Sequence, residues 1–529
     1  MGSEPSHFKD AYDVVIVGGA LAGASTAILL LQEEPQIKVL VLEKSAKFGR
    51  RVGEATVEVS AYFLGRVLGL TQHLNESHLV KQGMRFWFAN QAVQNLAEAS
   101  EIGGRYQVRL PSYQLDRSVI DEQVLHEAAK AGATVVRSAS VTKIELKRGD
   151  QQTVEYRVAS STRRATGRWA VDASGVGAVV ARQEGWWQLN AEHPTTAAWA
   201  RWRGVKDWDG RELGRKYPEW AAAPYGIRGT ATNHVVGHGW WSWWIPLKGG
   251  DMSVGVVFDQ RLVEFPKEGG NLGQRIKSFL SRHPVACEML VDAEPIADDV
   301  HWRKNLAYRS TKFVDDGLAL VGDAAAFIDP LYSPGMDWLS FTVSGAVNLI
   351  RSQRAGKPLN IDVMNSTLDL SYDRWFRAVY KDKYYYIGEF DLMRIAFLLD
   401  LGLYYLGIVS QPFKRGPQAL LEPPFSQPPS RPIFWLMSTY NRRLAQIARR
   451  RQTCGELGRA NRGGRLLANG FTLSAGDVRT LLKVVARWGW LELTEGWKSW
   501  VQPRNLPVDR PVQQPKPALT EAVKARSGI

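Results

Sequence analysis

The chain has 529 residues, of which 45% are hydrophobic, so it is too long for one small domain and predicts two or three units with sizeable cores. Its two cysteines, Cys287 and Cys454, cannot form a disulfide framework, and this favours a reducing, cytoplasmic compartment. The formal net charge of +14 would suit an acidic partner, but the arginines form no nucleic-acid-binding motif, so we expect no nucleic-acid partner.

Targeting and membrane segments are not expected from the sequence. The first ten residues are polar and carry no secretory pattern. The apolar stretch 393–409 is the best candidate for a membrane span, but it contains Arg394 and Asp400 and is short for a bilayer. We therefore expect a buried or surface-lying helix at this place and no membrane span.

The N-terminal region predicts a dinucleotide-binding βαβ unit. An apolar run at 12–17 is followed by a glycine-rich turn at 18–23 and an apolar helical pattern. A second apolar strand at 38–42 ends at Glu43. This order of elements and this spacing are typical of the dinucleotide-binding fingerprint.

Individual residues of the turn have separate roles in that fingerprint. Gly18 permits the tight turn, Gly23 permits close packing of helix on strand, and Glu43 is placed to bind the ribose hydroxyls of an adenosine. The usual middle glycine is replaced by Ala20, whose methyl narrows the approach of a pyrophosphate. Gly19, next to it, relieves the turn.

The chain then leaves the βαβ unit and returns to it. After the segment RRVGEAT at 50–56, a strand is predicted at 85–88, with Lys81 at its entrance. A helical pattern follows at 118–131, and a predicted hairpin at 152–171 leads back to the nucleotide-binding unit.

Residues 190–310 predict mixed strands that are rich in tryptophan. The most characteristic run is WWSWWIP at 240–246. Because side chains alternate between the two faces of a strand, Trp241 and Trp243 are expected on the same face of the sheet.

The stretch 313–341 predicts a strand that delivers polar groups to a ligand. An apolar strand at 318–321 ends in Gly322 and Asp323, and residues 329–335 form a turn that opens a helical pattern. Small residues let a large planar ligand approach the backbone, and a helix N-terminus favours negative charge beside it.

The predicted fold class is α/β. The chain forms the βαβ unit, leaves it, returns to it, leaves it a second time and returns again. This is the interrupted layout of a glutathione-reductase-like FAD-binding fold. The predicted units are an FAD-binding domain at 10–190 and 311–350, a Trp-rich mixed β-sheet substrate domain at 191–310, a helical C-terminal region at 351–502, and a Pro-rich, extended or disordered tail at 503–529. A local excess of arginines between 442 and 465 would suit an acidic carrier domain, but such clusters are more often a solvated helix face.

Taken together, these stretches resemble the flavin-dependent halogenase family over residues 10–350, and its phenol- and pyrrole-type members more than true tryptophan halogenases. The family motif W-x-W-x-I-P is matched by Trp241, Trp243, Ile245 and Pro246. K-x-G is matched at 81–83, D-P-L-x-S at 329–333 and VGEAT at 52–56.

The resemblance implies a two-component enzyme that receives reduced FAD from a separate NAD(P)H flavin reductase. Such an enzyme uses O2 and a halide ion to make hypohalous acid, which passes through an internal tunnel to a lysine, here Lys81. The ammonium makes the halogen electrophilic toward an electron-rich phenol, pyrrole or indole ring, either free or bound to a carrier. An amine donor suits this role because it polarises the oxidant, and separating the oxidant from the flavin limits side reactions.

The resemblance also implies the remaining site residues. The cofactor-binding positions are Gly18, Gly19, Ala20, Ala22, Gly23, Glu43, Lys44, Arg51, Glu54, Ala55, Arg117, Val141, Asp172, Gly322, Asp323, Pro330, Gly335 and Met336. The halide-binding positions are Ser333, Gly335 and Met336, and no metal site is implied.

Two positions depart from the family pattern. Tryptophan halogenases carry a glutamate that assists ring deprotonation where this chain has Tyr332, which favours an activated phenol or pyrrole over tryptophan. Pro334 has no N–H to offer to a halide, so only Gly335 and its successors remain as donors. We therefore expect a preference for bromide or iodide, which lose less hydration than chloride in such a site.

Two other functions are compatible with the sequence. One is a flavin monooxygenase or oxidoreductase on the same scaffold, which Tyr332 and Pro334 favour. The other is a non-enzymatic flavin-binding scaffold protein, against which the many intact positions near the flavin argue. The sequence leaves the identity of the aromatic substrate open, and it also leaves open whether the chain forms a homodimer.

Overall fold

The computed structural model describes residues 11–224, 228–358, 360–472, 475–500 and 509. These residues form a mixed α/β fold of two large sheets and a helical region. The predicted Pro-rich tail at 503–529 lies outside the described residues, apart from Asp509.

The strands are numbered in chain order. They are β1 (Ala11–Val17), β2 (Val39–Leu42), β3 (Leu79–Val80), β4 (Met84–Phe88), β5 (Ser100–Gly104), β6 (Tyr113–Gln114), β7 (Thr134–Val136), β8 (Ala139–Glu145), β9 (Gln152–Val158), β10 (Ser161–Asp172), β11 (Trp187–Leu189), β12 (Thr195–Arg203), β13 (Thr232–Gly237), β14 (Trp240–Pro246), β15 (Met252–Asp259), β16 (Glu294–Lys304), β17 (Tyr308–Ser310), β18 (Val314–Asp315), β19 (Leu318–Leu320), β20 (Ala326–Phe327) and β21 (Arg465–Ala468).

The α-helices are numbered in the same way. They are α1 (Leu21–Glu33), α2 (Glu58–Tyr62), α3 (Thr71–Ser77), α4 (Arg117–Lys130), α5 (Val179–Gln183), α6 (Arg211–Lys216), α7 (Pro218–Ala222), α8 (Leu272–Leu280), α9 (Pro284–Leu290), α10 (Gly335–Arg354), α11 (Ile361–Trp375), α12 (Phe390–Tyr404), α13 (Ser410–Arg415), α14 (Arg431–Thr453) and α15 (Ala475–Thr494). Single π turns continue α2 at Phe63–Val67, α11 at Phe376–Tyr380 and α12 at Tyr405–Val409.

The first sheet confirms the predicted βαβ unit. Its strand order is β18-β19-β10-β1-β2-β7, and β1 pairs in parallel with both β2 and β10. β19 and β7 also join in parallel, on β10 and β2 respectively. Because parallel strands end at the same edge, the glycine-rich turn, Glu43, Asp172 and Gly322 meet there. The predicted hairpin at 152–171 is β9 and β10, paired antiparallel.

The second sheet draws strands from three distant parts of the chain. Its order is β16-β12-β15-β14-β13-β4-β5-β21. Five of these strands come from the predicted Trp-rich unit, whereas β4 and β5 precede it and β21 lies within the predicted helical region, between α14 and α15. β21 pairs in parallel with β5, from Arg465 opposite Glu101 to Ala468 opposite Gly104.

The second sheet separates two apolar cores. One face packs into the larger core, which is shared with the first sheet and the helices, and which includes Phe86, Trp241 and Val257. The other face packs with α8 and α9 into a smaller core that includes Trp87 and Trp244. The alternating side chains of β14 therefore connect different layers of the molecule.

Two members of the arginine cluster at 442–465 correct the expectation of a solvated helix face, whereas Arg442, Arg459, Arg462 and Arg465 are exposed as expected. Arg451 is fully buried and binds the carboxylates of Glu389, Asp391 and Glu495 at 2.7–3.0 Å. Arg443 is also buried, and its guanidinium lies 2.6 Å from Glu492. A buried charge needs such partners, and they come from segments far from the cluster in sequence, so a local pattern does not show them.

Within the part of the chain that the structure describes, one helical run, Phe390–Arg415, is long and apolar enough to cross a membrane by length and composition. More than half of its most apolar window, 56%, is buried inside the protein. A core helix of a soluble protein has the same properties, so this run is weak evidence for a span.

Candidate active site

The glycine-rich turn after β1 needs glycine at both predicted positions. Gly18 has a φ of +102°, and a Cβ added there would lie 2.4 Å from the backbone oxygen of Ala173. A Cβ at Gly23 would lie 1.8 Å from the backbone oxygen of Gly18. The turn and the first turn of α1 are therefore packed as closely as the sequence predicts.

The end of β2 and the start of α1 face the same turn. Glu43 is buried, and its carboxylate accepts the N–H groups of Gly19 and Ser45 at 2.8 Å each. Helix α1 begins directly after Ala20, with no side-chain cap and no acidic residue in its first turn. Uncapped N–H groups beside a glycine-rich turn form an anion-binding arrangement.

The turn after β19 approaches the same place. Gly322 has a φ of +57°, and a Cβ there would lie 3.3 Å from the Cβ of Ala22 on α1. No described residue donates a hydrogen bond to the carboxylate of the adjacent Asp323. Burial raises the pKa of this carboxyl, and the charges of Arg117 and Arg303 oppose the shift.

These observations fit a flavin dinucleotide. The uncapped start of α1 suits a pyrophosphate, and a carboxylate at the end of β2 suits ribose hydroxyls. Asp323, half-buried and without a hydrogen-bond donor among the described residues, suits a polyhydroxyl chain that would supply donors.

Two of the predicted cofactor-binding arginines are held by one carboxylate. Arg117 binds both oxygens of Asp121 at 3.0 Å and donates to the carbonyl of Val52 at 3.1 Å. Arg51 lies 3.7 Å from Asp121. The V-G-E-A-T segment is thereby fastened to the first turn of α4.

Glu54 takes part in a buried ion network. The guanidinium of Arg201 lies 3.0 Å from Glu54 and 2.9 Å from Asp116. Burial raises the pKa of Glu54 to about 7, and the Ser253 hydroxyl and the charge of Arg201 oppose the shift.

The remaining predicted cofactor positions have different surroundings. The carboxylate of Asp172 accepts the N–H groups of Ser174 at 2.9 Å and Val180 at 2.7 Å, so it holds the turn from β10 into α5. Three further positions are an exposed Lys44, a buried Ala55 and a half-buried Val141 on β8. Contact of these four residues with a cofactor stays a prediction.

The predicted halide-binding loop has a strained backbone. Tyr332 and Ser333 have φ values of +65° and +59°, conformations that cost about 1–3 kcal/mol each for residues other than glycine. The N–H of Ser333 donates to the carbonyl of Pro330 at 3.0 Å. Helix α10 begins at Gly335 without a side-chain cap, and a Cβ on Gly335 would meet no atom within 4 Å. Of the predicted halide ligands, the amides of Gly335 and Met336 are therefore the better placed.

A buried network holds this loop. Asp329 accepts the N–H of Leu331 at 2.8 Å through one oxygen. Its other oxygen lies 2.7 Å from His193 Nε2 and accepts the hydroxyl of Tyr384 at 2.9 Å. That hydroxyl accepts the indole N–H of Trp241 at 2.8 Å. The W-x-W-x-I-P motif is thus connected to the D-P-L-x-S loop through Tyr384.

The other positions of the W-x-W-x-I-P motif follow the predicted alternation. Trp241, Trp243 and Ile245 lie in the larger core, and Trp244 lies in the smaller one. Pro246 ends β14. The prediction that Trp241 and Trp243 share a sheet face is confirmed.

Lys81 is buried, with only 1% of its surface exposed. Its ammonium donates to the carbonyl of Thr56 at 2.9 Å. Burial lowers the pKa of Lys81 to about 8, and the charges of Glu58 and Asp337 oppose the shift. With a pKa of about 8, Lys81 stays mostly protonated at neutral pH and loses its proton at mildly alkaline pH.

The charges of two buried carboxyls, those of Asp337 and Glu58, raise the pKa of Lys81 against the effect of burial. Asp337 accepts the N–H of Ser60 at 2.9 Å and the hydroxyl of Tyr404 at 2.8 Å, and burial raises its pKa to about 7. Glu58 accepts the hydroxyl of Tyr405, and burial raises its pKa as well.

A cavity of about 440 Å³ brings these groups together. Lys81, Glu58 and Asp337 line it, and so does Pro334 at the start of α10. The lysine and the predicted halide loop therefore face a common space.

Sequence reasoning did not select the carboxyls of this cavity. Besides Glu58 and Asp337, Asp400 lines it, accepting the hydroxyl of Tyr332 at 3.1 Å and pairing with Lys383 at 2.6 Å. The signal in the sequence that could have indicated these carboxyls is a charged residue within an apolar helical pattern, as at Asp337 and Asp400. A buried position of this kind needs a partner.

A model of the protein family described as "Tryptophan halogenase" matches residues 13–100 and 98–384. The chain is 25% identical over 375 residues to the flavin-dependent halogenase chlA of Dictyostelium discoideum, across 64% of this chain and 60% of that protein. It is 24% identical over 383 residues to the monodechloroaminopyrrolnitrin halogenase PrnC of Pseudomonas fluorescens, across 66% of this chain and 63% of that protein. The match thus spans less than two thirds of either relative.

The fold is similar to that of solved halogenases. The crystal structure of the halogenase PltM superposes with a TM-score of 0.71 at 18% identity, covering 90% of this chain and 96% of that one. At this identity the likeness concerns the fold.

Proposed function

Because the chain belongs to the tryptophan halogenase family, we propose that it is a two-component flavin-dependent halogenase that acts on an electron-rich aromatic ring through Lys81. The observation that carries this proposal is the buried Lys81 ammonium, which lines one cavity with Pro334 at the start of α10. A phenol or pyrrole ring is the preferred substrate class, because Tyr332 stands where tryptophan halogenases have a glutamate.

The cofactor in this proposal is FAD, held by a glutathione-reductase-like arrangement of the first sheet. When bound in its reduced form, FAD would transfer two electrons to O2, and the reduced oxygen would oxidise a halide ion to hypohalous acid. The uncapped start of α1 and the turn at Gly18 bind the pyrophosphate, and Asp323 binds the ribityl chain. A separate NAD(P)H flavin reductase in the same cytoplasmic compartment provides the reduced cofactor.

Halogen transfer then uses the buried groups of the cavity. The Lys81 ammonium donates a hydrogen bond to the oxygen of hypohalous acid and makes the halogen electrophilic. The ring carbon forms a bond to the halogen, the oxygen–halogen bond breaks, and the oxygen leaves as water with a proton from Lys81. The ring then loses its proton to Asp337 or Glu58, which return it to the lysine.

The reaction class can be tested directly. The protein is supplied with FAD, a flavin reductase, NADH, O2 and halide, and the oxidant is trapped with monochlorodimedone or an activated phenol. Mass spectrometry separates halogen from oxygen incorporation. Incorporation of oxygen alone would reject the proposal in favour of a monooxygenase.

The proposed acid and base predict a bell-shaped pH dependence. Asp337, with a pKa of about 7, must be ionised to accept the ring proton, so activity falls below that pH. Lys81, with a pKa of about 8, must be protonated to donate, so activity falls above that pH. His234 faces Lys81, Tyr404 faces Asp337 and Tyr405 faces Glu58, so the two flanks belong to the site as a whole.

The measurement is kcat/KM against pH for bromination of a phenol. Asp337→Asn should lower the activity and change the acidic flank, which Glu58 alone then sets, and should keep the basic flank, whereas Lys81→Arg should remove the basic flank. An unchanged profile in both variants would contradict the assignment.

The halide site predicts a preference for bromide over chloride. Pro334 provides no N–H, and the Ser333 amide is engaged by Pro330, which leaves few donors for a strongly hydrated anion. With both halides at equal concentration, the brominated product should dominate. Pro334→Ser restores a donor and should increase the chlorinated fraction, whereas a chlorinated majority in the unmodified protein would reject the prediction.

A further inference from the structure

The cavity beside Lys81 is larger than a single aromatic ring requires. Its volume is about 440 Å³, whereas an apolar cavity of about 150 Å³ is enough to hold benzene. None of the residues of the glycine-rich turn at 18–23 or of the turn at Gly322 and Asp323 lines it, so this space lies apart from those two parts of the predicted cofactor site. A ring at Lys81 would leave most of the cavity free.

The charged groups of the cavity lie at its buried end and at its rim. The buried groups are Lys81, Glu58, Asp337 and Asp400. At the other end, Arg415 and Glu422 form an ion pair with side chains that are 45% and 36% exposed. The wall of the cavity between these two charged ends differs from them in polarity.

That wall is apolar. It includes Phe341 of α10, Trp375 of α11, Phe397 of α12, and Ile433 and Met437 of α14. A continuous apolar surface of this kind stabilises methylene groups or rings, and it offers few partners to a polar ligand.

We propose that the substrate is a phenol-type ring that carries an extended apolar chain, with the ring at Lys81 and the chain along α10, α12 and α14 toward Arg415. This inference rests on the proposed halogenase function and names its substrate class. The chain can belong to a free lipid-like phenol or to an aryl-acyl group tethered to a carrier, since both present the same ring and methylenes to the wall.

A series of para-alkylphenols tests the proposal. Each methylene that enters the apolar wall should raise kcat/KM for bromination about fourfold, until the chain reaches the rim. The gain should appear mainly in KM, because the chain is buried equally before and during reaction. A flat or falling dependence on chain length would overturn the proposal.

A pair of glycine variants locates the chain. A Cβ on Gly407, which lines the cavity, would meet only Ile433 at 3.9 Å, so Gly407→Phe fills the cavity without displacing backbone. This variant should lower kcat/KM for para-heptylphenol at least tenfold, whereas kcat/KM for phenol should stay within about twofold of the unmodified protein. Gly489→Phe on α15, where a Cβ meets nothing within 4 Å and which does not line the cavity, should change neither. Should Gly407→Phe fail to fold, Ile433→Phe replaces it with the same expectation.

Equal loss for both substrates in the Gly407 variant would overturn the placement of the chain. Comparing a free hydroxyphenylalkanoic acid with its pantetheine thioester distinguishes the two sources, because a tethered substrate requires the thioester. Oxidation of monochlorodimedone is recorded in every sample. Absence of this oxidation with the unmodified protein would mean that the proposed halogenase function is wrong. Oxidation without an effect of chain length would reject only the proposed substrate class.

Discussion

Lys81→Met should abolish halogenation of a phenol, lowering kcat/KM by about 10³-fold, as expected for the loss of a proton donor at the reacting atom. Methionine keeps the length and apolar stem of the buried side chain and removes the hydrogen bond that the ammonium donates to Thr56. Flavin oxidation should continue, because Lys81 lies outside the predicted cofactor-binding set. The measurements are halogenated product by mass spectrometry and O2 consumption in the same sample.

Two companion variants sharpen this test. Lys81→Arg retains a charge and donors but holds its proton at every accessible pH, so it should keep part of the activity and lose the basic flank of the pH profile. Lys130→Met changes an exposed lysine at the end of α4 and should behave like the unmodified protein. Undiminished product from Lys81→Met would refute the assignment of the lysine.

Asp329→Ala should lower halogenation about 10²-fold and also destabilise the fold. The substitution leaves Leu331, His193 and Tyr384 without their shared partner, at a cost of about 1–3 kcal/mol for each buried group left unpaired. Tyr332 and Ser333 would relax from their left-handed conformations, and a displacement of about 1 Å at the halide loop is enough for such a rate loss.

Asp329→Asn is the matched variant, because its oxygen still accepts from Leu331 and its amide still fills the space beside His193. It should retain more activity and more stability than the alanine variant. Halide oxidation and melting temperature should be measured together. A stable alanine variant with full halide oxidation would show that the network does not position the loop.

The nucleotide-binding half of the fold could be predicted because its signals are local. The turn at Gly18, the packing at Gly23 and the carboxylate at Glu43 lie within one βαβ unit, where spacing determines geometry. The alternation of Trp241 and Trp243 is local in the same way. The strand pairing and packing confirm the βαβ geometry and the alternation, whereas the role of Glu43 in binding a cofactor stays a prediction.

The groups around Lys81 could not be predicted because their partners are distant in sequence. Ser60 binds Asp337, 277 residues later, and Glu58 accepts from Tyr405, 347 residues later. The burial of Arg443 and Arg451 was missed for the same reason, since a run of arginines has the composition of a solvated surface. The sequence shows where charged residues occur along the chain, whereas only the folded structure shows which residue lies opposite each charge.

The pairing of β21 with β5 has a consequence for biosynthesis. Ribosomes synthesise the N-terminal part of a protein first, so β5 at Ser100–Gly104 leaves the ribosome long before Arg465–Ala468 is translated. Throughout that interval β5 is an open strand edge, which other chains can join. Completion of the sheet during translation must therefore await residues 465–468, and nascent chains that stall before them are exposed to aggregation.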